Sequence, residues 1–352
     1  MINPIIFKIP FLNWPVHWYG LILMTGFLVG AWMVERELKR HGENGELIWD
    51  AAVWVLIPGV LGARLWYVLN ATLGGDTRFS NNPIEIIRVW NGGLHIFGAF
   101  LFGGAALLLY LNRNKLDPWL FLDAIGPAAL VGQAIGRLGN FVNQELYGPP
   151  TTLPWGLKIY PDNPYQIPLE VQGKSSQEIL TYIETTRFHP TFAYEMLWNL
   201  ASAGLLIWLS RRYDKTLKPG TLFAGWLVLA GIGRTWLELF FRPDQPKIGD
   251  SSISYSMVVA SLMAVTGAIM LLARYRVIHL PVAENWEEEY KISMPPMVEE
   301  IPEKTDDEAE TKARRAKKSP VVKARATANR KKPEAEPPAA KKKAAPKAKK
   351  SA

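Results

Sequence analysis

The sequence predicts an all-α integral membrane protein with about seven transmembrane helices, a small extracytoplasmic cap and a disordered, basic C-terminal tail. The first observation is a series of seven mostly apolar runs, each near the length of about 20 residues that crosses a bilayer. The second is a stretch at 148–190 that is rich in proline and contains no such run. The third is the charge: from Val298 to Ala352, 17 Lys and Arg stand against 9 Asp and Glu, so the tail carries the whole formal charge of +8.

The predicted spans are separated by short loops, except for the longer stretches that contain 72–93 and 148–190. The fourth run is the least apolar, and the sixth carries charged residues within it. The seven predicted spans are residues 18–34, 47–69, 94–111, 120–141, 191–209, 221–241 and 253–272.

Basic residues determine the orientation that we expect for these spans. They follow the first, third, fifth and seventh runs, and short loops with an excess of Lys and Arg stay on the cytoplasmic side. The N-terminus is then extracytoplasmic and the tail cytoplasmic. The first residues lack the pattern of a cleavable signal peptide, so we expect the first span to serve as its own insertion signal. The basic residues are Arg36, Lys39, Arg40, Arg113, Lys115, Arg211, Arg212, Lys215, Lys218, Arg274 and Arg276.

The remaining segments divide the chain into a membrane domain at 1–280 and a tail at 281–352. Within the membrane domain, 148–190 is expected to form the extracytoplasmic cap, with a short helix at 175–186, and 72–93 a second, shorter arm. The Lys-, Ala- and Pro-rich tail has too little apolar surface to fold. We expect a solvated extension, with anionic membrane lipids as its next most probable partner and no nucleic acid bound.

Polar residues crowd into 136–148, at the end of the fourth span. An isolated ionisable residue within a span costs roughly 2.5–3.5 kcal/mol, so such a cluster indicates a function or mutual pairing. If this segment is helical, Arg137, Asn140 and Gln144 share one face. The structural alternative is a tightly packed helix end whose polar residues satisfy one another. The cluster consists of Arg137, Asn140, Asn143, Gln144 and Glu145.

Polar residues recur at the outward ends of six predicted spans, which indicates one site that opens to the outer half of the bilayer. Helix packing alone does not require this coincidence. Besides the cluster at 136–148, the residues are His17, Tyr19, Arg64, His95, His189, Tyr194, Glu195, Arg234, Glu238 and Arg242.

Two arginines in the spans, Arg137 and Arg234, suit the binding of a phosphate, because a guanidinium group offers planar bidentate donors and a permanent charge. A phospholipid headgroup is the phosphate expected at this depth. Structural alternatives stay open for the neighbouring residues. Arg234 can pair with Glu238 four positions on, His189 can simply precede a helix, and Tyr19 can belong to an interfacial aromatic belt.

Several classes of site are absent from the sequence. The chain has no cysteine, which excludes disulfides, a thiolate nucleophile and cysteine-bound metals. It also has no His-Glu-x-x-His motif, phosphate-binding glycine-rich loop or carboxylate-rich metal motif. We therefore expect no metal and no cofactor. Asp50 and Asp123, in the cytoplasmic halves of their spans, are expected to be helix-end or packing residues.

Four motifs stand in order along the chain: His17-Trp18-Tyr19-Gly20; Gly-Arg-Leu-Gly-Asn-Phe-Val-Asn-Gln-Glu-Leu-Tyr-Gly at 136–148; His189-Pro190-Thr191 with Tyr194-Glu195; and Arg234 and Glu238 with Phe240-Phe241-Arg242. They resemble motifs of the bacterial prolipoprotein diacylglyceryl transferase family. The second fits the family pattern Gly-Arg-x-Gly-Asn-Phe-x-Asn-x-Glu-x-x-Gly at every fixed position. The resemblance covers roughly residues 10–280 and leaves the tail outside.

The resemblance implies a seven-span enzyme of the bacterial plasma (inner) membrane. Such an enzyme moves the diacylglyceryl group of phosphatidylglycerol onto the lipobox cysteine of a preprolipoprotein signal peptide. It forms a thioether and releases glycerol 1-phosphate, in the first step of lipoprotein maturation. The substrate supplies the thiol, so a chain without cysteine can catalyse this reaction.

The same resemblance suggests roles for the polar residues. Arg137 and Arg234 would hold the headgroup phosphate and stabilise the leaving group. The proton acceptor for the thiol stays open among three residues. Tyr19, Asn140 and Asn143 would position the headgroup by hydrogen bonds, and Glu145 and Glu238 would orient the arginines. The residues expected at the headgroup are Tyr19, Arg137, Asn140, Asn143, Glu145 and Glu195. The expected catalytic residues are Arg137, Arg234, Glu238 and His189, and the candidate proton acceptors are His189, Glu195 and Glu238.

The sequence departs from the family pattern at two places. Phe97 stands where many members have a histidine at the start of the third span, and His95 lies two residues earlier, about 200° away around a helix. A tyrosine often found shortly before the sixth-span arginine is replaced, since Leu229 and Ala230 stand there. The alternative function is a membrane lipid or small-anion transporter, although no internal repeat supports it. An intramembrane hydrolase lacks a Gly-x-Ser-x-Gly nucleophile.

Overall fold

Seven long helices form the membrane unit of the protein. The structure is a computed structural model that describes residues 3–11, 14–89, 92–159, 171, 173–242, 248, 251 and 253–293. Its helices in chain order are α1 (Trp18–Arg40), α2 (Leu47–Leu73), α3 (Arg78–Asn81), α4 (Ile96–Arg113), α5 (Pro118–Val142), α6 (Ser176–Thr185), α7 (Thr191–Arg212), α8 (Thr221–Phe241) and α9 (Tyr255–Arg274). All except α3 and α6 are long and apolar enough to cross a membrane, which confirms the all-α class and the seven predicted spans.

The observed helix ends differ from the predicted ones where capping or charge extends a helix beyond its apolar core. The sixth span, α8, has the predicted bounds. Helices α1 and α7 continue to Arg40 and Arg212. The basic side chains in their last turns interact favourably with the negative end of the helix dipole and so stabilise these turns. Helix α5 begins earlier than predicted, because the Asp117 carboxylate accepts a hydrogen bond from the backbone N–H of Trp119 at 2.8 Å.

A short hairpin precedes the first span and was not predicted. Strands β1 (Ile5–Ile9) and β2 (Trp14–His17) pair antiparallel, and α1 begins at the next residue. The backbone N–H of Trp18 donates to the Pro4 carbonyl at 3.0 Å, which ties the helix start to the hairpin. Strands this short depend on their pairing, so they give little signal in the sequence.

Helix α5 lies at the centre of the helices that carry the polar cluster. It packs against α1, α7 and α8, while α9 packs on α8. Helices α2 and α4 pair mainly with each other and contact the rest little. The approach of α1 to α5 is close, since a Cβ atom on Gly26 would lie 2.9 Å from the Gly132 carbonyl oxygen. This packing sets the first turn of α1 against the last turns of α5.

The segment between α5 and α7 contains the predicted short helix, here α6. Ser175 and Glu178 form a reciprocal capping box at its start. Phe188 makes bridges with Pro150 and Leu157 and lies in a small apolar cluster with Ile183. Residues 160–170 and 172 of the predicted cap lie outside the described residues. The second arm contains α3 and a 3₁₀ turn at Pro83–Ile86.

Residues 281–293 pack along the helix ends opposite the predicted outward ends. The Tyr290 hydroxyl donates to the Asp123 carboxylate at 2.7 Å, and the Ser293 hydroxyl donates to Glu43 at 2.7 Å. Asp123 also accepts hydrogen bonds from the backbone N–H groups of Gly220 and Phe223, so it caps α8 as expected of a helix-end residue. Burial and the neighbouring Asp123 carboxylate raise the pKa of Tyr290, so its hydroxyl keeps its proton into the alkaline range. The predicted tail from residue 294 onward lies outside the described residues.

Candidate active site

One carboxylate joins two arginines from different helices. The Nη2 of Arg137, on α5, donates to Oε1 of Glu195, on α7, at 2.5 Å. The other oxygen of Glu195 lies 3.7 Å from Nη1 of Arg234, on α8. The Glu195 side chain is 11% exposed, and the arginine side chains are 22% and 26% exposed. The two guanidinium groups are therefore close together, partly desolvated and still open on one side.

The residues after Arg137 form a chain of hydrogen bonds. Nη1 of Arg137 donates to Oδ1 of Asn140 at 3.1 Å, and Nδ2 of Asn140 donates to Glu145 at 2.7 Å. The Asn143 amide also donates to Glu145, at 3.4 Å. Glu145 therefore lies next to Asn140, which itself contacts Arg137, and Glu195 is the carboxylate that pairs with Arg137 directly. The role expected of Glu145, to orient an arginine, stays a prediction.

The end of α5 explains why Glu145 lies next to Asn140. The helix ends at Val142, and Gln144 adopts a φ of 52°, so the chain turns back. The backbone N–H of Glu145 then donates to the Asn140 carbonyl at 3.0 Å. Gln144 therefore does not share the helix face of Arg137 and Asn140, contrary to the prediction.

Glu238 pairs with Arg234 on α8 and accepts hydrogen bonds from two serines at the start of α9. Nη2 of Arg234 lies 2.5 Å from Oε1 of Glu238, which confirms the pair expected from their spacing. The Ser256 hydroxyl donates to the same oxygen at 2.5 Å, and the Ser254 hydroxyl donates to the other oxygen. Sequence reasoning missed both serines, since a Ser-x-Ser sequence before an apolar run is typical of a helix N-cap. Ser254 also has that role, accepting from the backbone N–H of Met257 at 3.0 Å.

Tyr19 lies in the first turn of α1, against the end of α5. A Cβ atom on Gly139 would lie 2.5 Å from Cδ2 of the Tyr19 ring, so only glycine allows the ring to pack there. The Tyr19 ring therefore packs on the last turn of α5, next to the residues that follow Arg137, while 36% of the residue stays exposed.

His189 lies beside the end of α8, directly before the start of α7, as the sequence predicted. Its Nδ1 and the Tyr194 hydroxyl are 2.9 Å apart, and that hydroxyl accepts a hydrogen bond from Nε1 of Trp155 at 2.8 Å. The imidazole ring meets Phe241 edge-on, with 5.2 Å between ring centroids. Tyr194 and Phe241 hold the imidazole ring in place, and His189 precedes Glu195 by six residues along the chain.

Two residues that the sequence grouped with this site have other surroundings. Arg64 donates to the carbonyls of Ile86 at 2.9 Å and Gly92 at 2.5 Å, so it anchors the second arm. His95 occupies the N-cap position of α4 without a side-chain capping hydrogen bond, and its ring stacks on Phe97 with centroids 5.3 Å apart. The prediction of one site across six spans is corrected for Arg64 and His95, because their contacts lie within α2, α4 and the second arm. In the described structure the Arg64 guanidinium group donates to backbone carbonyls of the second arm, and α2 and α4 pair mainly with each other.

The described residues define a multi-pass membrane protein with two arginines and three carboxylates clustered at one end of its helices. A family model described as prolipoprotein diacylglyceryl transferase matches residues 4–273. The chain therefore belongs to the prolipoprotein diacylglyceryl transferase family, which confirms the resemblance read from its motifs.

Relatives from several bacteria carry the name phosphatidylglycerol–prolipoprotein diacylglyceryl transferase. The protein from Bifidobacterium adolescentis is 39% identical over 228 residues, which cover 63% of this chain and 65% of the relative. The protein from Synechococcus elongatus is 36% identical over 260 residues, 73% of this chain and 83% of the relative. The protein from Corynebacterium glutamicum is 35% identical over 262 residues, 73% of this chain and 78% of the relative. These names indicate an enzyme and give the transporter alternative no support.

Proposed function

We propose that this protein transfers the diacylglyceryl group of phosphatidylglycerol to the cysteine thiol of a prolipoprotein. The observation that carries the proposal is the pair of guanidinium groups joined by Glu195, in a chain that belongs to the transferase family. The pair offers two fixed cations at the depth of a lipid headgroup. The relatives' names supply the lipid and the protein substrate.

The reaction needs positive charge at the phosphate. The thiolate sulfur attacks the glycerol carbon that bears the phosphate ester, a carbon–sulfur bond forms, and the carbon–oxygen bond breaks. The electron pair of the broken bond leaves with glycerol 1-phosphate, so a singly charged phosphodiester becomes a doubly charged monoester. Cationic donors fixed in advance stabilise such developing charge without reorganising.

Arg137 and Arg234 are the residues that we assign to the phosphate. A guanidinium group has five N–H donors. Among the described residues, Arg137 makes one hydrogen bond through Nη1 and one through Nη2, and its Nε is buried without a hydrogen-bond partner. Both side chains are about a quarter exposed, and Glu195 and Glu238 fix their positions. Tyr19, in this proposal, adds a hydroxyl to the headgroup.

The remaining amide and carboxylate side chains have supporting roles in this proposal. Asn140 accepts a hydrogen bond from Arg137 through its side-chain oxygen and donates one to Glu145 through its amide nitrogen. The end of α5 thereby keeps the guanidinium group in one orientation. Asn143 adds a second amide to the same carboxylate. His189 is one proton acceptor for the thiol, since its imidazole is half-buried, oriented by Tyr194 and close to the start of α7.

The charge of the helix ends supports an inner-membrane orientation with the site outward. Helices α1, α4, α7 and α9 all end in arginine, at Arg40, Arg113, Arg212 and Arg274. Such basic ends face the cytoplasm in membrane proteins. The hairpin and α6 then lie outside the cell, on the side where a lipobox cysteine follows its signal peptide. In the proposed division, residues 1–280 are the transferase domain and the basic tail is cytoplasmic.

The test uses purified protein in detergent with phosphatidylglycerol and a peptide that contains a lipobox cysteine. Mass spectrometry should show a diacylglyceryl adduct on that peptide, and glycerol phosphate should appear only when the peptide is present. A peptide with serine in place of the cysteine is the control. An adduct on the serine peptide, or no adduct from folded protein, would overturn the proposal.

A further inference from the structure

The start of α9 brings two hydroxyl groups into the cluster that the proposed function does not use. We infer that Ser256 is a positioning residue, which fixes Glu238 and, through Glu238, the guanidinium group of Arg234. The inference rests on the proposed function, because it assigns Arg234 to the lipid phosphate. It also implies that Glu238 is not the group that removes the thiol proton.

Both oxygens of Glu238 are occupied in the structure. Oε1 accepts from Nη2 of Arg234 and from the Ser256 hydroxyl, each at 2.5 Å. Oε2 accepts from the Ser254 hydroxyl. A carboxylate has about four acceptor positions, so three are filled by residues of α8 and α9. The Glu238 side chain is 2% exposed, so among the described residues it is closed to direct approach by a thiol.

The hydrogen bonds from Ser254 and Ser256 to Glu238 also fix Arg234, which would otherwise have several orientations. Arg234 contacts Glu238 within its own helix and Glu195 only at 3.7 Å, so Glu238 is its closer carboxylate. If Glu238 had no partner other than Arg234, the two side chains could change rotamers together and stay paired. Ser256 prevents this, because its hydroxyl on α9 holds Oε1 of Glu238, the oxygen that also pairs with Arg234. Arg234 can then present its remaining donors to a phosphate in one place.

Ser256 is better suited to a test than Ser254. Ser254 also caps α9 through the Met257 backbone N–H, so its removal would disturb the helix itself. Ser261 offers a matched control on the same helix. Its hydroxyl lies 3.3 Å from the Thr235 hydroxyl across the same α8–α9 interface, away from Glu238.

The kinetic experiment compares full-length wild type, Ser256→Ala, Ser256→Thr and Ser261→Ala at varied phosphatidylglycerol. Loss of one hydrogen bond to a charged group should raise the KM for phosphatidylglycerol about tenfold in Ser256→Ala, with a smaller change in kcat. Ser256→Thr keeps the hydroxyl and should restore the KM, and Ser261→Ala should match wild type. A wild-type KM in Ser256→Ala, or a threonine variant as defective as the alanine variant, would overturn the inference.

A second readout does not depend on transfer. Phenylglyoxal modifies accessible arginines, and peptide mapping by mass spectrometry gives the rate for each one. Arg234 should react faster in Ser256→Ala than in wild type or Ser261→Ala, while the exposed Arg113 reacts equally in all three. An unchanged modification rate of Arg234 in Ser256→Ala would overturn the positioning role, whether or not the wild type is active. An inactive wild type would count only against the proposed function.

Discussion

Replacement of Arg137 with lysine is expected to impair transfer while leaving the protein folded. The arginine uses two different nitrogens at once, Nη1 toward Asn140 at 3.1 Å and Nη2 toward Glu195 at 2.5 Å. A lysine keeps the charge but concentrates its donors on a single nitrogen. It cannot span both partners and also reach a phosphate.

The size of the effect follows from the contacts that lysine cannot make. A hydrogen bond to a charged group contributes about 1.5–3 kcal/mol. Loss of one such bond in the transition state lowers kcat/KM about 10- to 150-fold, since each 1.4 kcal/mol is about tenfold. A loss felt equally in the lipid complex and in the transition state would raise KM and leave kcat unchanged, whereas a loss in the transition state alone would lower kcat.

The assay measures the initial rate of adduct formation on the cysteine peptide at several phosphatidylglycerol concentrations. Arg113→Lys is the control, because Arg113 is exposed at the opposite end of the helices and should tolerate the same change. Wild-type kcat/KM in Arg137→Lys would refute the reasoning, since charge alone would then be enough. Equal losses in both variants would point to a general effect of lysine on the folded protein.

Two further substitutions test the packing around the site and at the opposite end. Gly139→Ala places a methyl group 2.5 Å from the Tyr19 ring, so kcat/KM should fall by about tenfold or more. The control is Gly136→Ala, whose methyl group meets no atom within 4 Å and which should retain activity. Equal activity of the two variants would contradict the assignment of Tyr19. Tyr290→Phe removes one donor from the buried Asp123 carboxylate and should cost about 1–3 kcal/mol of stability, seen as a lower Tm in detergent with unchanged activity at low temperature. An unchanged Tm would show that residues 281–293 add little to stability.

The spans were predictable because their signal is local. About 20 consecutive apolar residues are needed wherever a helix crosses a bilayer, whatever surrounds it. The sixth span was predicted with the observed bounds although it carries Arg234 and Glu238. The predicted ends of the first and fifth spans lie before the observed helix ends at Arg40 and Arg212. Hydropathy does not detect a polar turn that continues a helix.

The partners within the site were less predictable because they depend on tertiary contacts. Spacing along one helix suggested the pair of Arg234 with Glu238, and that pair is present. No spacing rule links Arg137 to Glu195, which lies on another helix. Ser256 reaches Glu238 only because α9 packs on α8. Family motifs indicate which residues take part, and the packing of α5, α7, α8 and α9 determines which of them meet.

The most direct test of the central claim is a crystal structure grown in a lipid mesophase that contains phosphatidylglycerol. The account predicts lipid phosphate density between Arg137 and Arg234, with phosphate oxygens within hydrogen-bond distance of both guanidinium groups. The glycerol carbon that bears the phosphate should face the lipid-accessible side of the cluster, where a thiol can approach. A phosphate bound elsewhere, with both arginines still paired only to Glu195 and Glu238, would contradict the account.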